Sequence, residues 1–144
     1  MQRRVIFPIK GTFYYAADEA LKSGFLDLQS HLLLKPEPNN EYDPYAIQIW
    51  LVPEQDNPAS ATLNHGGYLM GYIPRVMSKQ LSLTLNAHPT THLHITHLAR
   101  SGKQIEIDCE LTLTLPFWPF LILKLLSLWS LTTTKGKRLT KTLI

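Results

Sequence analysis

Between Gln104 and Leu115 the chain alternates with a period of two. Ile105, Ile107, Cys109, Leu111, Leu113 and Leu115 are apolar, and Glu106, Asp108, Glu110, Thr112 and Thr114 between them are polar. A helix would spread those apolar positions around its circumference, whereas a strand sends alternate side chains to opposite faces. This segment is therefore read as a long strand, buried on one face and wet on the other. Leu93 to Leu98 is its expected hairpin partner, joined across Ala99-Arg100-Ser101-Gly102-Lys103.

The rest of the chain supplies shorter pieces. Arg3 to Ile9 alternates loosely and reads as a first strand ending near Gly11. Ala16 to Ser23 is rich in helix formers and Gly24 is a plausible stop. His31 to Lys35 is a short apolar strand ended by Pro36, and Ala46 to Val52 carries β-branched and aromatic residues. Pro53 to Gly66 is polar and small, an expected exposed loop, before a strand at Gly67 to Ile73. Pro74 then opens a helix over Arg75 to Asn86, whose Met77, Leu81 and Leu85 lie four apart on one face. The expected fold is mainly β: a small, partly open barrel of the OB or SH3-like kind, with five or six strands and two short helices. We expect one domain at residues 1–115 and a separate tail at 116–144.

Charge is distributed unevenly. Residues 1–115 hold nine lysines and arginines against all eleven acidic residues, while 116–144 hold five basic residues and no acid. The domain therefore lacks the broad cationic surface that coats duplex DNA through many phosphates. Any nucleic-acid site is expected to be small and defined by shape. The single Cys109 forbids an internal disulfide and fits a reducing, cytoplasmic setting. The apolar run Val5-Ile6-Phe7 is too short for a signal peptide.

Tyr14, Tyr15, Tyr42, Tyr45 and Tyr72 fall in or beside expected loops, where periodicity does not demand them. Such rings either close the ends of the barrel or stack on unpaired bases, the latter worth about 1–3 kcal/mol per base. Asp43 lies between Tyr42 and Pro44, in extended geometry imposed by the proline. Its carboxylate either caps a turn or accepts a hydrogen bond from a hydroxyl while repelling phosphate. Arg75, at the start of a helix, offers a guanidinium and free backbone N–H groups to a phosphate. Lys79, one turn on, points the same way or belongs to a solvated face.

Three segments in fixed order together resemble the HIRAN domain, a small β module. They are Gly11-Thr12-Phe13-Tyr14-Tyr15, Pro38-Asn39-Asn40-Glu41-Tyr42-Asp43-Pro44-Tyr45-Ala46-Ile47, and Gly67-Tyr68-Leu69-Met70-Gly71-Tyr72-Ile73-Pro74-Arg75. That family occurs at the N-terminus of some DNA-repair ATPases and as free-standing bacterial proteins. The resemblance implies capture of single-stranded DNA 3′-hydroxyl ends, in repair or at stalled replication forks, with a helicase or nuclease as a possible partner. It places stacking on Tyr14 and Tyr42, the 3′-hydroxyl on Asp43, the shaping asparagine at Asn40 and a phosphate on Arg75. Tyr72 takes a position held by histidine in DNA-binding members, and Phe13 replaces a basic residue. The resemblance covers about residues 3–115.

No catalytic constellation stands out: a glycine-rich phosphate loop, a Ser-His-Asp order and paired carboxylates are all missing. We expect no enzyme and no cofactor. His88, His92, His94 and His97 cluster, but they read as a polar strand face rather than a metal site. The stretch Pro116 to Leu131 is strongly apolar. As a helix, Phe120 to Leu131 would span about 18 Å, short of the roughly 30 Å of a bilayer core. It is expected to dock on the barrel or to self-associate through Phe117–Leu131. The alternative is a membrane interface anchored by Trp118 and Trp129. The competing function is thus a protein-interaction or membrane-associated adaptor.

Overall fold

The long alternating segment forms the spine of the structure. Strand β6 (Gln104–Thr114) pairs antiparallel with β1 (Gln2–Pro8) on one side and β5 (Thr91–Ser101) on the other. A two-residue strand, β7 (Thr142–Leu143), pairs with the far edge of β5, giving the order β1-β6-β5-β7. A second antiparallel sheet has the order β2-β3-β4, from Leu32–Pro36, Ile47–Leu51 and Tyr68–Tyr72. Three helices complete the fold: α1 (Ala17–Lys22), α2 (Arg75–Ala87) and α3 (Phe117–Lys135). This computed structural model describes residues 2–12, 17–24, 26–30, 32–52, 67–87, 91–101, 104–135 and 142–143.

The mainly β expectation holds, with two revisions. Among the described residues the strands form two sheets and no closed barrel, and a third helix is added. The sheets meet at one corner, where Lys10 and Tyr72 exchange both backbone hydrogen bonds at 2.9 and 2.8 Å. Gly71 makes that corner possible. Its φ is +155°, and a Cβ there would lie 2.3 Å from the Lys10 carbonyl oxygen and 2.7 Å from Ile9 Cγ2. Only a glycine lets the two backbones approach so closely.

The hairpin also differs in detail. Strand β5 runs on to Ser101, so Ala99 and Arg100 belong to the ladder instead of the turn. The register shifts between Ile95 and His97, leaving Thr96 as an extra residue whose hydroxyl donates to the Asp108 carbonyl at 3.3 Å. This bulge changes the parity of β5: Leu93 and Ile95 face the core before it, Leu98 after it. His92, His94 and His97 consequently lie opposite Thr112, Glu110 and Asp108 on the other face. That face is not wet throughout, since Ala99 and Glu106, directly opposite each other, are both buried.

The core draws on both sheets and on the helices, with Phe7, Ile49, Met70, Met77, Leu81, Ile107, Leu111 and Leu123 among its fully buried side chains. Met77 and Leu81 lie on the face expected of α2. Burial pushes the Cys109 thiol far above its ordinary range, with Asp108 adding to the shift, so it is an inert core residue.

The tail becomes the 19-residue helix α3, longer than expected at both ends. Pro119 stands in its first turn, where a missing N–H costs no hydrogen bond. The helix packs on β1 and α2. Leu123, Ser127 and Ser130 are buried on its inner side, at spacings of four and three. Arg3 lies across Phe117 and Phe120, its guanidinium 5.9 and 5.1 Å from the ring centres. Among the described residues no helix is long and apolar enough to cross a membrane.

Candidate functional site

A turn between β2 and β3 builds one side of the site. Pro36, Pro38 and Pro44 restrict the chain there, and side chains close its hydrogen bonds. Asn40 Oδ1 accepts the backbone N–H groups of Tyr42 and Asp43 at 2.9 and 3.0 Å. Asp43 Oδ1 in turn accepts the N–H of Tyr45 at 2.9 Å. These two overlapping side-chain caps leave the turn little freedom and aim Tyr42 outward, 82% exposed.

Helix α2 supplies the opposing contacts. Ser78 donates its hydroxyl to Asp43 Oδ2 at 2.8 Å, and its oxygen is also 3.0 Å from the Arg75 carbonyl. Arg75 Nη2 donates to the Tyr42 carbonyl at 3.1 Å. The turn is thus tied to the helix start from both sides, one bond through Asp43 and one through Arg75. The arginine uses a single donor for this, and its guanidinium stays exposed.

Between the turn, the start of α2 and the last turns of α3 lies a cleft of about 520 Å³. Asn40, Tyr42, Asp43, Tyr72 and Arg75 all line it, together with Lys10 and apolar residues such as Ala46, Ile73 and Val76. Five residues singled out from the sequence therefore converge on one cavity. Lys79 does not line it: its Nζ sits 5.6 Å from the centre of the Tyr45 ring. Tyr14 and Tyr15 lie outside the described residues.

Tyr72 is held from behind. Its hydroxyl donates to Glu37 Oε2 at 2.6 Å, and Gln48 Nε2 donates to the same oxygen at 2.8 Å. Trp50 Nε1 completes the chain by donating to Gln48 Oε1 at 2.9 Å. This network fixes the tyrosine ring as a wall of the cleft.

Several contributors were not visible in the sequence. Glu37 and Ser78 act at a sequence distance of 35 from Tyr72 and Asp43 respectively, and Trp129 and Ser130 enter the cleft from α3. No local pattern signals them. The histidine strand face holds a ring contact between His92 and His94 at 5.8 Å, and His94 Nε2 lies 3.6 Å from Glu110 Oε1. Among the described residues no three His, Cys, Asp or Glu side chains are grouped so as to hold a metal.

A family model described as the HIRAN domain matches residues 2–115. Among solved structures, the chain is similar to the crystal structure of the HIRAN domain of human HLTF. The two share 14% identity over 88% of each chain, with a TM-score of 0.51. At that identity the likeness is one of fold. No curated protein matches the sequence.

Proposed function

The chain belongs to the HIRAN domain family, and from that premise we propose that its cleft captures the 3′-hydroxyl end of single-stranded DNA. Family membership supports a nucleic-acid-binding module, and the finer assignment rests on the turn at Asn40–Tyr45. The observation that carries it is a fully projecting aromatic ring, Tyr42, adjacent to a carboxylate held in place by two donors.

In this reading Tyr42 stacks on a terminal base. Each oxygen of Asp43 already accepts one protein donor, and a carboxylate oxygen has room for a second. That spare capacity suits a sugar hydroxyl, and the carboxylate's negative charge disfavours a phosphate. Arg75, exposed at the start of a 13-residue helix, suits the phosphate one step back along the strand. Asn40 shapes the turn through its bonds to Tyr42 and Asp43 and lines the cleft beside them. Tyr14 remains a second platform on motif alone, and Lys79 is a peripheral charge. No chemical step is involved; a helicase or nuclease would supply or use the end.

The test is fluorescence anisotropy at low salt, with a labelled single strand ending in a 3′-hydroxyl and its twin ending in a 3′-phosphate. The reading expects clear preference for the hydroxyl end, weakened for both strands by Tyr42→Ala. Equal weak binding to both ends would reduce the interaction to nonspecific charge and sink it.

A second reading has its own support. On the outer side of α3, Trp118, Ile122 and Leu125 form an exposed apolar row at helical spacing, outside the cleft. This favours an adaptor that meets a protein or a lipid surface. Deleting the tail would not test it cleanly, because Leu123 is fully buried in the common core. Leu125→Lys is the better probe: loss of an oligomer or of vesicle binding, with DNA binding intact, would favour the adaptor.

A further inference from the structure

We propose that α3 completes the DNA-binding cleft, with Trp129 acting as an aromatic platform opposite the Asn40–Tyr45 turn. The inference rests on the single-stranded DNA reading above and adds a residue that lies beyond the family match at 2–115.

Three observations converge. First, Trp129 and Ser130 of α3 line the cleft together with residues of the turn and of the start of α2. Second, the helix is seated rigidly. Leu123, Ser127 and Ser130 are buried along its inner side, which fixes its rotation about its own axis. Trp129 is therefore presented at a set angle by a regular element instead of a loop. Third, Trp129 keeps 59% of its surface exposed while lining a cleft that still measures about 520 Å³. A helix acting as a plug would bury its tryptophan and fill the space. This one leaves an open slot with Tyr42 and Trp129 among its walls, within the size range of pockets that hold a small ligand, about 300–1,000 Å³.

Charge selects the occupant. Residues 116–144 contain no acid and five basic residues, so a phosphate chain passing along α3 meets no repulsion from that segment. Lys10 and Arg75 add positive charge at the cleft itself, against the single carboxylate of Asp43. Stacking on unpaired bases is sequence-tolerant, and one aromatic platform changes affinity by roughly 5- to 150-fold.

The experiment uses the full chain and a short oligo-dT with a free 3′-hydroxyl. The protein has three tryptophans, so intrinsic fluorescence can report the contact once it is assigned by substitution. Trp118 is the internal control: it lies on the same helix, is 71% exposed and is outside the cleft. Oligo-dT should quench the wild-type emission. The quench should persist in Trp118→Phe and largely vanish in Trp129→Phe. By anisotropy, Trp129→Ala should bind oligo-dT roughly 5- to 150-fold more weakly, and Trp118→Ala should bind like the wild type. Melting temperatures of all four variants show that the fold is retained. Unchanged affinity in Trp129→Ala would overturn the proposal, as would tighter binding, which would make the helix an obstruction. Loss of a dimer or of anionic-vesicle association in Trp129→Ala, with oligo-dT affinity unchanged, would overturn it by assigning the helix to those partners. Failure of the wild type itself to bind oligo-dT would instead remove the underlying DNA reading, and this inference with it.

Discussion

Replacing Asp43 by Asn separates a carboxylate that recognises an end from one that only caps a turn. Both protein bonds of Asp43 survive the change. An amide oxygen can still accept the Tyr45 N–H, now at 2.9 Å, and the amide NH₂ can donate to Ser78 Oγ, now at 2.8 Å. Ser78 then turns its own proton to the Arg75 carbonyl, which is already 3.0 Å away. Stability should therefore change by less than about 1 kcal/mol. Asp43→Ala, by contrast, removes both bonds and should cost about 1–3 kcal/mol. What Asn removes is the charge. A terminal phosphate brought to about 4 Å would be repelled by about 4 kcal/mol per unit charge at an effective dielectric near 20. Asp43 is partly exposed, so screening reduces this considerably. The hydrogen bond from a 3′-hydroxyl also weakens, by about 1 kcal/mol, when its acceptor becomes neutral. Together these put the loss of preference at roughly 10- to 100-fold. The assay is the ratio of dissociation constants for the 3′-hydroxyl and 3′-phosphate strands in wild type and Asp43→Asn, with a melting curve as control. A folded Asp43→Asn that keeps the wild-type ratio would show that the carboxylate serves the turn alone.

Two predictions concern the scaffold. Gly71→Ala should lower stability by about 2–6 kcal/mol, combining backbone strain at φ +155° with a Cβ driven into the Lys10 carbonyl. Urea denaturation measures this, and a loss under about 1 kcal/mol would mean the corner relaxes without cost. Asp18 is held below the usual carboxylate range by its hydrogen bond from Lys22 and, next, from Arg100 at 2.7 Å. Because its folded pKa is the lower one, its contribution is present above about pH 4 and fades as pH falls through the folded value. The melting-temperature gap between wild type and Asp18→Asn should therefore close on acidification below about pH 4; a gap constant with pH would refute the assignment.

Much of the strand and helix order could be read directly from the chain, because period and punctuation are local properties. The alternation from Ile105 to Leu115 needs only its own residues to declare a strand, and β6 forms there. Met77 and Leu81 declare the buried face of α2 in the same way. The turn at Asn40–Tyr45 was legible too, since its caps link residues two or three apart. What tertiary structure alone decided involves distance along the chain and rotation of elements. The bulge at Thr96 moves β5 by one residue and so settles which face Leu98 and His97 occupy. Ser78 meets Asp43, and Glu37 meets Tyr72, only because two elements pack side by side. The apolar stretch after Pro116 announced a helix wanting a partner, but its hydrophobicity runs nearly all round and names no inner face. Packing chose the row through Leu123, Ser127 and Ser130, and that choice turned Trp129 toward the cleft.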